Sequence, residues 1–498
     1  MKILREFLKT KQAKNTLIIM FFCFFFLIRL YRLGYHDFWY DEIATINYAR
    51  CPWWTWNAPL YWVLLHFWIK IFGISEISLR FPSLVFNFSS TILIFLLGAR
   101  LFSKRTGLLA ALLMGLSPFH LWYAQEARDY SMVLFFGTLS SLLLVEAFKE
   151  SKIRLWLFYV AASLLGLYTN YFYIFLFIAQ AVWLAFFKRK QINGKIILSM
   201  LAVCISFSLY LPRFFRKFFY INQGFWIPRP QWESLLITFE NFMLGYNGTS
   251  FLYLFSNILV VASFVLAIIG LQKSKTLKDS FMFCSILLFV PVFAAFIFSR
   301  VSFSVYLDRG FLMFSPYLYL VTAFGISSLR KVPRILLLCI LVSVLTVSGC
   351  RYFNDQIFEQ DNHHIGTYIK KPIRPIVEFI RSHVSEYDII AVTNPSVIVP
   401  AYYYGLNKSY TSYYFFDPDI IETSWQRPHH ESRYYIPLHK INNLEFENLW
   451  VLSSDWGRSG ELDENSQSAK AWLDDHFQQE SKAEINGLWI LKYVRNES

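Results

Sequence analysis

Over its first 350 residues the chain alternates between apolar runs and short connections rich in Lys and Arg. A helix needs roughly 20 apolar residues to cross the hydrocarbon of a bilayer. Runs of that order recur near 16–33, 80–99, 106–123, 130–148, 155–170, 171–187, 196–212, 251–271, 281–298, 311–329 and 333–349, which predicts about eleven transmembrane helices. One further run, 59–73, is apolar but short and carries His66 and Lys70. If it lies flat in the interface, basic clusters within 2–14, 100–105, 149–154, 188–195, 273–278 and 330–334 all face one side. Making it a span puts every cluster after the first on the other side, against the positive-inside bias. The pattern therefore predicts an interfacial helix at 59–73 and a cytoplasmic N-terminus.

The extracytoplasmic side then receives the loop after the first span, residues 125–130, the turn at 169–170, the long connection 213–250, and 300–310. Residues 351–498 follow them out. Their apolar density is lower, and strand-like runs at 388–393 and 449–453 alternate with helical patterns at 376–384 and 469–477. The predicted organisation is a transmembrane domain over 1–350 and an extracytoplasmic soluble α/β domain over 351–498.

Composition sharpens the class. With 55% hydrophobic and 20% aromatic residues the chain is far more apolar than a soluble protein, and the spans place it as a multi-pass protein of the plasma (inner) membrane. The formal charge of +13 belongs to the clusters that orient helices, so it gives no reason to expect a nucleic-acid partner. The first apolar run is too long for a signal-peptide core and has no small-residue cleavage site after it, so it reads as a retained anchor. The six cysteines are scattered without metal-ligand spacing, and none follows Cys350.

Candidate chemistry gathers on the outer side. Asp41 and Glu42 come soon after the first span, within Tyr35-His36-Asp37-Phe38-Trp39-Tyr40-Asp41-Glu42. A carboxylate held at the membrane surface can take a proton from an acceptor beside a lipid. The stretch Gln125-Glu126-Ala127-Arg128-Asp129-Tyr130 and the later Tyr306-Leu307-Asp308-Arg309-Gly310 each bring an arginine outward. A guanidinium suits a phosphate because its fork matches the oxyanion and its charge is permanent. Trp56-Asn57-Ala58-Pro59-Leu60-Tyr61 opens the interfacial helix, where Trp and Tyr also serve as ordinary belt residues. Arg213, Arg216, Lys217 and Arg229 mingle with Phe and Trp in the long outer connection, as in an interfacial amphipathic segment. One carboxylate pair and two arginines suffice for displacement at a sugar carbon whose leaving group is a lipid-linked phosphate. Such a reaction needs no general acid and no nucleophilic carboxylate.

The Asp41-Glu42 pair, the Pro59-Leu60-Tyr61 helix start, Leu79-Arg80-Phe81-Pro82-Ser83, Ser117-Pro118, the Gln125–Tyr130 stretch, and Arg309 before Ser315-Pro316 follow in a telling order. Together they resemble the membrane glycosyltransferases of the protein O-mannosyltransferase type, which include the bacterial aminoarabinose transferases. The resemblance covers residues 1–350. It implies the GT-C fold, a polyprenyl-phosphate sugar donor, the lipid bilayer as the working environment, and an extracytoplasmic acceptor that is a lipid, a glycan or a protein. On this resemblance Asp41 is the catalytic carboxylate and Glu42 accompanies it, Arg128 and Arg309 bind the donor phosphate, and Glu126, Tyr130, Asn57, Tyr61 and Asp308 support substrate binding. No metal or other cofactor is expected: the Asp-x-Asp spacing some GT-C enzymes use is found at Asp417-Pro418-Asp419, deep in the C-terminal domain. Asn57-Ala58 and Arg309-Gly310 depart from the patterns of many relatives. Two alternatives remain open, a lipid-linked sugar transporter or flippase and a non-catalytic membrane assembly protein, although the spans within 155–298 are nearly free of the charges a transport path would use.

Overall fold

The computed structural model describes residues 11–51, 58–222, 227–271, 275–358, 363, 365, 367, 370, 372–393, 395–406, 411–416, 435–454, 464–485 and 488–495. Helices α1 to α11 are Lys11–Leu30, Tyr40–Arg50, Leu60–Phe72, Glu76–Leu101, Lys104–Leu116, Pro118–Ala124, Tyr130–Glu150, Ile153–Thr169, Tyr173–Phe187, Gly194–Ser208 and Leu211–Asn222. Helices α12 to α16 are Trp232–Leu244, Ser250–Gly270, Lys275–Val301, Ser315–Ser328 and Lys331–Phe353, and α17 to α19 are Arg374–His383, Pro395–Tyr403 and Glu464–His476. The strands β1 to β6 are Ile389–Val392, Thr411–Phe416, Tyr435–Pro437, Leu449–Ser454, Phe477–Ile485 and Leu488–Arg495. Two compact units result: Met1–Leu33 with Pro52–Lys217 and Arg229–Phe358, and Gly34–Cys51 with Phe218–Pro228 and Glu359–Ser498.

The first unit is helical because its backbone groups have no water to bond with in a bilayer and must bond within the segment. Among the described residues seven helices are long and apolar enough to cross, and an eighth is added if α5 and α6 are one broken span. The expected spans at 155–170, 171–187 and 196–212 correspond to α8, α9 and α10, which are apolar but have only 17, 15 and 15 residues. Helix α3, at 13 residues, is about 20 Å long, short of the roughly 30 Å hydrocarbon core. Side chains fix the helix starts: Ser75, Ser103, Asn193 and Thr249 each accept a hydrogen bond from a first-turn backbone N–H.

Two expected spans are corrected in their form. The run at 106–123 is not one rod, because the chain bends by 65° between α5 and α6. Ser117 precedes Pro118, which disfavours helical backbone at the residue before it, and Ser117 lies extended at φ −62°, ψ 124°. Its hydroxyl donates to the Phe242 carbonyl and accepts from Tyr319, so neighbouring helices satisfy the break. The run at 311–329 begins as a 3-10 turn, Asp308–Phe314, and becomes α-helical only at Ser315. Over 308–328, 94% of the apolar stretch is buried, against 22% in α1 and in α16, so α15 is the centre of this unit. Close helix approach depends on glycine: a Cβ on Gly98 would stand 2.7 Å from Gly107 Cα, and one on Gly325 would strike the Ser263 carbonyl.

The second unit is built on a sheet of order β3-β2-β1-β4-β6-β5, in which β3, β2, β1 and β4 are parallel and β6 and β5 antiparallel. Its central strands are continuously apolar because both faces are covered. Ile390, Val392, Trp450 and Leu452 pack on one side with Ile376, Val377 and Ile380 of α17. Ile389, Ala391, Leu449 and Val451 pack on the other with Ala469 and Leu473 of α19. The strands at 389–392 and 449–454 and the helices at 374–383 and 464–476 fall on the runs where the sequence pattern places them. Asp388, just before β1, accepts hydrogen bonds from Ser385 N, Asn448 N and Nδ2, and Trp450 Nε1 at 2.7 to 3.1 Å.

Candidate active site

In the first unit the two arginines converge on one ring. Helix α6 ends at Ala124, and the chain turns through Gln125, Glu126 and Ala127 before α7 begins at Tyr130. Gln125 fastens that turn: its Nε2 donates to the carbonyls of Arg29 and Tyr31, and its Oε1 accepts from Tyr352. Glu126 Oε2 accepts from Trp122 Nε1 at 3.0 Å, and the Glu126 carbonyl accepts from Arg128 N at 2.8 Å. The Arg128 guanidinium then lies 5.7 Å from the centre of the Tyr130 ring and 5.9 Å from that of Trp62. Arg309, on the 3-10 turn before α15, lies 5.8 Å from the same Tyr130 ring. Attraction to a ring face helps hold each cation, and the one ring brings the two cations together.

The supports behind this spot are polar and specific. Tyr61 Oη and Ser83 Oγ are 3.1 Å apart, and Ser83 donates to the Arg128 carbonyl. This links α3 and α4 to the arginine turn. Asp308 accepts from Thr238 Oγ1 and Asn241 Nδ2 of α12, both at 2.6 Å, so it anchors the turn that carries Arg309. Gly310 follows in close contact with a ring: a Cβ there would lie 2.9 Å from Phe172 Cζ, so a larger residue would require that ring to shift. Asp129 Oδ2 accepts from Asn170 Nδ2 at 2.8 Å. Burial pushes the Asp129 carboxyl up from the ordinary range, although Arg128, the Asn170 hydrogen bond and Arg309 pull it the other way.

The carboxylates belong to the second unit. Asp41 and Glu42 occupy the first turn of α2, where the helix dipole favours negative charge; the expected loop after the first span is a helix start. Neighbouring helical residues point about 100° apart, and the environment separates this pair. Glu42 is fully buried, with Lys370 Nζ 3.8 Å from its Oε1, whereas Asp41 is partly exposed. Just before them, Asp37 Oδ2 accepts from the backbone N–H groups of Ile373 and Arg374 at the start of α17. Asn57 lies outside the described residues, as do Asp417 and Asp419. Among the described residues no three or more His, Cys, Asp or Glu side chains cluster as they would around a metal ion.

The sequence points to Tyr130 and Tyr61 only as supports and does not single out Trp62, Ser83, Asn170 or Lys370. Ser83 stands within the Leu79–Ser83 stretch, and Trp62 is hidden by the general enrichment of Trp at interfaces. Asn170 and Lys370 carry no local signal. Asn247, in an Asn-Gly-Thr glycosylation pattern, is fully buried and donates to the Gln356 carbonyl, so the folded chain does not present it to a modifying enzyme.

Comparison with known proteins agrees with this architecture. Residues 57–214 match the family model described as dolichyl-phosphate-mannose-protein mannosyltransferase. ArnT from Cupriavidus metallidurans in the apo state superposes with a TM-score of 0.60 at 11% identity, over 96% of this chain and 98% of that one. The same protein bound to undecaprenyl phosphate gives 0.61, with the same identity and coverage. The arabinofuranosyltransferase AftD from Mycobacteria gives 0.52 at 9% identity, over 97% of this chain and 40% of that one. No curated protein matches the chain by sequence. The fold is that of the GT-C membrane glycosyltransferases, with a small C-terminal sheet region. The resemblance noted in the motifs thus extends to the ArnT and O-mannosyltransferase type at the level of fold.

Proposed function

We propose that the protein moves a sugar from a polyprenyl-phosphate donor to an acceptor on the extracytoplasmic face of the inner membrane, by one displacement with inversion. The observation that carries this reading is the meeting of Arg128 and Arg309 on the Tyr130 ring. The presence of undecaprenyl phosphate in the similar ArnT structure supports it. In the reaction the acceptor oxygen or nitrogen attacks the anomeric carbon, and the bond from that carbon to the phosphate oxygen breaks. The electron pair leaves with the polyprenyl phosphate, where the two guanidinium groups take up the charge, and the acceptor proton passes to Asp41. Glu42 supports Asp41. A phosphate leaves without protonation, and the arginines supply the positive charge, so the proposal includes no divalent ion; transfer unchanged by EDTA is the expected result.

The decisive experiment compares undecaprenyl phosphate with undecaprenol on the purified protein in nanodiscs. At least tenfold tighter binding of the phosphate, lost in R128Q and R309Q, is expected, and equal affinity for the two lipids overturns the reading. Mass analysis of lipid-linked sugars and surface glycans in a deletion strain then identifies the sugar and acceptor. The proposed orientation has its own test in a cysteine-free background. Y35C, at an exposed position, labels with a membrane-impermeant thiol reagent from outside, and K190C, also exposed, labels only after permeabilisation; the reverse pattern inverts the topology.

A further inference from the structure

Glu42 forms an ion pair with Lys370, a residue that has no part in the proposed reaction. Their side chains are 0% and 9% exposed. Elsewhere in the same unit, Lys470–Asp474 and Lys492–Glu480 are surface pairs whose acids are 42% and 52% exposed. Burying two charges is costly, and the cost is offset only while both partners are present. The pair is also not isolated. Asp37 Oδ2 accepts from Ile373 N at 2.7 Å and Arg374 N at 2.9 Å, with Arg374 Nη1 3.2 Å from Asp37 Oδ1. Next to it, Phe38 N donates to Tyr404 Oη at 2.7 Å. Positions 37, 38 and 42, on either side of Asp41 in the chain, are thus fastened to Lys370, Ile373, Arg374 and Tyr404.

We propose that Lys370 is a positioning residue for the carboxylate pair, with Asp37 as the second tie. Holding Glu42 inward fixes the rotation of the first turn of α2. Because adjacent helical residues diverge by about 100°, that rotation sets the direction of the Asp41 carboxylate. Segment 34–51, which folds with residues of the C-terminal region, thereby carries the orientation of Asp41. This inference rests on the reading of Asp41 as the base.

The test uses the purified full chain as wild type, K370M, K370R and the double variant E42Q/K370M, with kcat, donor KM and thermal unfolding measured for each. K370M lowers kcat at least tenfold, counted per mole of folded protein from the amplitude of the unfolding transition, while donor KM stays within threefold; that normalisation removes mere loss of folded protein, which would lower the apparent kcat at unchanged KM. K370R, which keeps the charge, recovers at least a third of the wild-type kcat. The double variant leaves no buried charge without its partner, so it regains thermal stability but not kcat, and it carries the test if K370M does not fold. Wild-type kcat in K370M or in the double variant, or K370R no faster than K370M, overturns the proposal. D41N measured alongside separates the two levels: D41N at the wild-type rate defeats the base assignment itself, whereas slow D41N with fast K370M defeats only the positioning role.

Discussion

Arg128 and Arg309 are held against an aromatic ring in a unit of apolar helices, while Glu42 is held against an ammonium in a unit built on a sheet. In the first unit ring faces lie against the two guanidinium groups, and the Asp129 carboxyl interacts with both. Arg29, fully buried in α1, is likewise held by neutral groups, donating to Asn87, Thr91 and the carbonyls of Phe25 and Gly115. In the second unit Glu42 faces a full charge and Asp37 accepts from the amides of a helix start. The difference has a chemical meaning. A ring face holds a guanidinium without neutralising it, whereas the Glu42 carboxylate faces a lysine within the fold. Of the acidic pair, Glu42 is fully buried and Asp41 is partly exposed.

Four experiments break or sharpen this contrast. The largest effect belongs to D41N, which keeps the shape and removes the basicity. It should slow transfer by about 10²- to 10⁴-fold, as expected for a lost general base, with donor binding retained; full activity in both D41N and E42Q would remove this helix from the chemistry. Next come R128K and R309K, measured as kcat/KM for the donor. Each keeps the charge but loses the planar fork, at about 1.5–3 kcal/mol for charge-assisted hydrogen bonds, or roughly 10- to 100-fold in rate. Wild-type turnover in both would mean that this pair of cations is not the phosphate site.

Y130L removes the ring that both guanidinium groups share. With cation–π attractions of about 0.5–2 kcal/mol, donor KM should rise by up to about tenfold while kcat changes less; an unchanged KM would show that the arginines hold position without the ring. The smallest effect on catalysis is expected from D388N in the sheet unit, where activity at neutral pH should be unaltered. Burial alone would raise the Asp388 carboxyl, but hydrogen bonds from Ser385, Asn448 and Trp450 more than offset it and bring it below the ordinary range. A carboxyl lowered in the folded state contributes stability that is present above the unfolded value near 4 and is lost as pH falls through the folded value. D388N should cost about 2 kcal/mol at pH 7, and the gap from wild type should narrow below about pH 4. A gap that stays constant with pH would contradict the ionised role.

The sequence by itself determined the membrane class, the sites of most apolar helices, two strands and two helices of the C-terminal α/β region and the motifs that carry the resemblance. These are legible because a bilayer demands long apolar runs bonded within themselves, and because strands and helices impose periods of two and 3.6 on neighbouring residues. The break at Ser117-Pro118 was also written locally, in the restriction proline places on the residue before it, although the run's length concealed it. Tertiary structure alone decided which distant groups meet. Arg128 and Arg309 share Tyr130 because a turn fastened by Gln125 and another anchored by Asp308 bring them to one ring. Asp37 reaches Ile373 across 336 residues, and Lys370 reaches Glu42 beside it. No periodicity encodes such pairings, because they depend on how whole elements pack, and packing is settled by shape and buried polar satisfaction over the entire chain.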